Sequence, residues 1–191
     1  MDKSVNKPKM LFVSCLAAVV MCIFAGMIIA FRTAGGVFAQ VAEFVHSVSF
    51  EQISFSQSVR KAIFADFVFC CCVLIFTAGF PVSLLPGGLI ALKGFALGAV
   101  AGLASAGCVI RKAASILFAV FVSNVLILPI YILVFLISLK FSAGVCSGEL
   151  TAGEAAAEYF RFAARVLIFF LIMCIAECIQ IGLGTIVLKL F

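Results

Sequence analysis

The stretch AIFADFVFCCCVLIFTAGFPVSLLPGGLIALKGFALGAVAGLASAGCVI, residues 62–110, decides the fold. It is apolar almost throughout, yet far longer than the roughly 20 residues that carry one helix across the hydrocarbon core of a bilayer. Its prolines and glycines tell where it breaks: Gly79-Phe80-Pro81 closes one apolar helix, Pro86-Gly87-Gly88 interrupts the next piece, and Lys93-Gly94 opens a further run. The expectation is a span over 62–80, an interrupted or re-entrant connection over 82–92, and another span over 93–110.

Outward from this stretch the same composition continues. Residues 10–31 form an apolar run preceded by Lys3, Lys7 and Lys9; with no convincing cleavage site and further spans behind it, it reads as a retained helix rather than a signal peptide. Residues 114–139 and 163–188 supply two more spans. Of the 191 residues 66% are hydrophobic and 11% charged, and the mean hydropathy is +1.37. A soluble fold of this size leaves too much surface exposed to hide so many apolar side chains. The fold class expected is therefore all-α: a polytopic transmembrane bundle of about five spans forming one integral membrane domain over residues 1–191, with no room for a separate soluble catalytic domain. The formal charge of +5 implies contact with lipid headgroups rather than nucleic acid, because basic residues gather at the ends of membrane helices. Lys and Arg divide almost evenly between the two sides; the N-terminal lysines favour a cytoplasmic N-terminus.

Two segments lean polar. In the loop 34–60, Val37, Phe38, Val41, Phe44, Val45 and Val48 fall on one helical face while Gln40, Glu43, His46 and Ser47 lie elsewhere on the wheel, the pattern of an amphipathic helix at the membrane surface. In 140–162, Thr151 and Glu154 fit a capping box, and Glu154, Glu158, Arg161 and Arg165 follow at helical spacing suited to ion pairs.

Within the spans, Gly94, Gly98 and Gly102 repeat every four residues and place small residues on one face, where a second backbone can approach. Asn124 is read near the middle of the 114–139 span, five residues before Pro129, where its amide needs a partner on another helix or on carbonyls that the proline releases. Glu177, well inside the last span, is the most expensive residue to expose to lipid, so it must face the bundle, pair or carry a proton. Asp66 lies near the start of its span and is expected to reach the interface.

The nine cysteines include no CxxC pair, and most sit in apolar segments; they read as small apolar packing residues, with Cys146 the accessible thiol. There is no Walker motif, HExxH, GxSxG or embedded HxxxH pair, and His46 is outside the spans. No catalytic set, metal site or cofactor is expected.

The order Gly79-Phe80-Pro81, Leu92-Lys93-Gly94, Gly98, Gly102 and Asn124 through Pro129, followed by Glu177 in the last span, resembles the stage II sporulation protein M family. Phe121-Val122-Ser123 stands where that family often has Leu-Pro before the asparagine, and Gly182 and Gly184 follow the last glutamate where a proline is common. The resemblance implies a non-enzymatic scaffold in the bacterial cell membrane, the mother-cell membrane in a sporulating host. There it would recruit or organise extracytoplasmic peptidoglycan hydrolases, sporulation proteins D and P, during engulfment. Val37, Val41, Phe44, Val48 and the glycine face would then carry contacts to partners or to a second copy of the chain. The alternative is a permease subunit of a transport system, resting on the helix breaks at Pro81, Pro86 and Pro129 and on the intramembrane polar residues Asn124 and Glu177.

Overall fold

The computed structural model describes residues 6–32, 55–77, 82–107, 124, 126–147 and 152–190. Among these it is entirely helical: α1 (Asn6–Arg32), α2 (Phe55–Phe76), a 3-10 turn (Val82–Leu84), α3 (Leu85–Gly107), α4 (Ile127–Cys146) and α5 (Ala152–Leu190). Residues 10–32, 85–103, 127–146 and 153–183 are each long and apolar enough to cross a bilayer. The remaining helix, α2, joins the same bundle but carries Arg60, Lys61 and Asp66. The chain is a multi-pass membrane-spanning helix bundle.

The outer surface agrees with this. Met10, Met21, Phe64, Ile75 and Phe160 are all exposed, an arrangement that water would penalise and lipid accepts. Inside, α4 is the hub, touching each of the other four helices. Its buried residues Ile127, Ile132, Val134 and Phe135 pack into one cluster with Val73, Phe162, Val166 and Met173. Near the other end of α4, Phe141 stacks on Phe162 of α5 with ring centroids 5.2 Å apart.

The most extensive helix pair is α1 with α3, and glycine makes it possible. A Cβ on Gly98 would fall on the Ile23 carbonyl, and one on Gly26 would fall on the Phe95 carbonyl. At Gly102 it would lie 2.6 Å from the Met27 carbonyl oxygen, and at Gly94 3.1 Å from Val19 Cγ1. The two backbones therefore touch along the stripe that the four-residue spacing anticipates, and that stripe is filled by the chain's own first helix.

Three boundaries differ from the sequence expectation. The segment 82–92 is neither interrupted nor re-entrant: the 3-10 turn runs straight into α3, which starts at Leu85, about two turns before Lys93. Pro86 sits in the first turn, where a missing N–H costs nothing, so Pro86-Gly87-Gly88 begins the helix instead of breaking it. Gly87 also admits the Phe135 ring, whose Cζ would lie 2.8 Å from a Cβ there.

The second difference is at α4, which begins at Ile127 after an N-cap at Leu126 and runs to Cys146. Pro129 thus belongs to the first turn of α4, and Asn124, itself helical, lies just before the Leu126 cap. Most of the expected 114–139 start, and the helix break at Pro81, lie outside the described residues. So do Val37, Val41, Phe44 and Val48, His46 and Thr151.

The third is that the polar piece before residue 163 and the last span form a single 39-residue helix, roughly 58 Å long at 1.5 Å per residue. That exceeds the bilayer core of about 30 Å, so one end of α5 extends past it. Glu154, Glu158, Arg161 and Arg165 are in its N-terminal part, where Arg161 pairs with Glu158 at 3.2 Å and Arg165 approaches the same carboxylate at 3.9 Å.

Candidate functional site

On α2, α4 and α5 the buried face contains polar residues, and α3 adds the half-buried Lys93. On α2, Asp66 shares its buried face with Phe69, Cys70, Val73 and Thr77, at the spacing of three and four that stacks residues on one side of a helix. On α5, Glu177 and Gln180 continue the face of Phe162, Val166 and Met173. Tyr131 belongs to the buried face of α4. Lys93, one turn beyond the buried Ile90, comes from α3.

These side chains meet. The Tyr131 hydroxyl donates to Asp66 Oδ1 at 2.5 Å, and the Tyr131 ring lies against Phe69 with centroids 4.0 Å apart. Lys93 Nζ stands over the same tyrosine, 4.2 Å from its ring centroid, a cation–π placement that gains strength away from water. Glu177 lies near enough to Asp66 and Lys93 for their charges to be felt, although among the described residues no ion pair joins Lys93 to either acid. Asp66 is fully buried, Tyr131 4% exposed, Glu177 7% and Gln180 1%. Asp66 Oδ2 and both amide atoms of Gln180 have no hydrogen-bond partner among the described residues.

No family model, characterised protein or solved structure matches this chain. What the cluster can do is therefore a question of its own chemistry.

A second buried polar layer is uncharged. Thr77 and Ser138 hydroxyls are 2.7 Å apart, joining α2 to α4, and the Thr77 hydroxyl also donates to the Val73 carbonyl. Ser142 lies one turn further along α4, its hydroxyl without a partner among the described residues. Tyr159 of α5 donates to the Leu74 carbonyl at 3.3 Å. Short neutral hydrogen bonds of this kind hold membrane helices together. The charged cluster differs because it concentrates two acids and a base in a medium where an ion costs several kcal/mol to bury.

No group of three or more His, Cys, Asp or Glu side chains is placed to hold a metal among the described residues. The described cysteines are free thiols; Cys70 is buried and Cys146 exposed. Of the residues singled out by sequence, Glu177 is in the cluster, and Gly94, Gly98 and Gly102 line the α1 interface.

Sequence reasoning missed Asp66, Lys93, Tyr131 and Gln180. The signal for Asp66 was present in its helical register with Cys70, Val73 and Thr77. Lys93 was obscured by the misplaced start of α3: with Pro86 read as a first-turn proline, Lys93 falls inside the span. Asp66 is turned into the bundle against Tyr131, and Lys93 does not open a helix.

Proposed function

We propose that this chain is a membrane subunit of a transport system, a permease component whose working part is the intramembrane centre of Asp66, Lys93, Tyr131 and Glu177. The observation that carries the reading is the convergence of two acids, one base and a hydroxyl donor from four different helices inside an apolar bundle. Charges are held in that setting at a cost in stability, and such groups mark ion and substrate paths. Asp66 Oδ2 and the Gln180 amide, which have no partner among the described residues, are available to something that comes and goes.

The scaffold reading is retained as the second, on the order of motifs between Gly79 and Pro129 that resembles the stage II sporulation protein M family. It needs a surface for hydrolases, and the candidate segment 34–60 supplies one by its amphipathic pattern; the glycine face is already engaged with α1.

Affinity purification of the tagged chain from its host's membranes, with co-purifying proteins identified by mass spectrometry, separates the two. A co-purifying cytoplasmic ATPase or other transport subunit is the expected result. Extracytoplasmic wall hydrolases in its place would overturn the permease reading in favour of the scaffold.

A further inference from the structure

We propose that the acid pair Asp66 and Glu177 forms a site for one exchangeable proton, held at Glu177, with Lys93 as the fixed counter-ion and Tyr131 as the donor that keeps Asp66 in its carboxylate form. For its physiological use, the coupling of transport to protons, this inference rests on the permease reading.

Charge balance comes first. With Asp66, Glu177 and Lys93 all ionised, one negative charge is left over in a dry interior, where an uncompensated ion costs several kcal/mol. One proton on the pair removes the excess. The geometry then distinguishes the two acids. Asp66 Oδ1 accepts a hydrogen bond from the Tyr131 hydroxyl, an interaction that favours the charged carboxylate. No equivalent donor reaches Glu177 from the described side chains, so the proton belongs there.

Gln180 is a second, independent pointer. It lies three residues past Glu177 on the same buried face, 1% exposed, with neither amide atom paired among the described residues. An amide can accept from a protonated carboxyl and donate to an ionised one, so a rotamer change that brought it onto Glu177 would suit either state. A metal cation in place of the proton would require several converging oxygen ligands, and no metal-ligating group is assembled among the described residues.

The surroundings are accounted for helix by helix. α2 contributes Asp66 and Cys70, α3 Lys93, α4 Tyr131, and α5 Cys174 and Glu177. Among the described side chains of α1 the one charge, Arg32, is at its last turn. Because the two acids are near each other, the titration of Glu177 is coupled to the charge on Asp66. Its release needs no other reactant: the O–H bond of the carboxyl breaks, the proton leaves, and the carboxylate keeps the electron pair.

The test is infrared difference spectroscopy of the full chain in lipid nanodiscs during a pH titration, reading the stretch of the protonated carboxyl. The expected result is one protonated carboxyl per chain at neutral pH, lost reversibly as the pH rises, absent in Glu177→Gln and persisting to higher pH in Lys93→Met. No protonated carboxyl at neutral pH in the unmodified chain, the same band in Glu177→Gln, or a band displaced by sodium ions overturns the inference. Should Glu177→Gln fail to fold, the Lys93→Met comparison decides alone: an unchanged titration overturns the proton site. Proton flux into proteoliposomes under an imposed pH gradient separates this inference from the reading beneath it. A titrating carboxyl without flux leaves the proton site standing and counts against the permease; flux without a titrating carboxyl does the reverse.

Discussion

The bundle contains two interiors built on opposite principles. Between α1 and α3, glycines let the two backbones close together, and at Gly26 and Gly98 a carbonyl group of the other helix lies where a Cβ would be. Among α2, α3, α4 and α5, the interior is given to Asp66, Lys93, Tyr131 and Glu177, with polar atoms that have no partner among the described residues. α3 belongs to both: its Gly94 faces α1 while the adjacent Lys93 turns towards the acids. In lipid no hydrophobic force distinguishes helix from tail, so close packing is what holds the first region together. The second region lowers stability where the first supplies it. Such a division is expected where a rigid support carries a working site.

Substitutions break this contrast in a definite order. Gly98→Leu has the largest expected effect, because its side chain must displace the Ile23 backbone of α1; overpacking against backbone should cost about 3 kcal/mol or more. The check is the yield of monodisperse protein and its unfolding midpoint in detergent, with near-complete loss expected.

Tyr131→Phe comes next. It keeps the ring under Lys93 and against Phe69 but strips the donor from a fully buried carboxylate, and should cost about 1–3 kcal/mol. Thermal unfolding of the purified variant measures it, and a change near zero would mean that the Tyr131 hydroxyl does not support Asp66.

The smallest effect sharpens the first region by contrast. A Cβ on Gly88 would meet no atom within 4 Å, so Gly88→Ala should stabilise α3 by about 0.5–1 kcal/mol through reduced backbone entropy. A loss comparable to that at Gly98 would show that any glycine in α3, and not the α1 contact, sets stability. Thiol accessibility offers a parallel check on burial: Cys146 should react readily with a polar maleimide in the folded protein, and Cys70 should react only after unfolding.

The fold was legible where its cause is local. Apolar runs longer than a bilayer needs revealed the helices, and the step of four in Gly94, Gly98 and Gly102 revealed the tightest face, since helical period and residue size require no partner to read. Helix starts were less legible, because a proline closing one helix and a proline opening the next look alike in one dimension. Pro86 and Pro129 both proved to be first-turn prolines. The polar centre was only partly visible. Glu177 stood out because it lies deep in an unbroken apolar run, whereas Asp66 lies near Arg60 and Lys61 and Lys93 beside an apparent break. Their meeting depends on how four helices cross, which no single helix encodes. Tyr131 and Gln180 acquire significance only from the acids beside them.

The most direct test of the claim that the charged centre serves function rather than architecture is the unfolding free energy of Glu177→Gln at neutral pH. Glutamine matches the shape of a protonated glutamate and, like it, carries no charge. The predicted stability is within about 1 kcal/mol of the unmodified chain, since one neutral side chain replaces another of nearly the same shape. A loss of about 3–5 kcal/mol, the signature of a broken buried ion pair, would contradict the claim and make Glu177 a structural partner of Lys93.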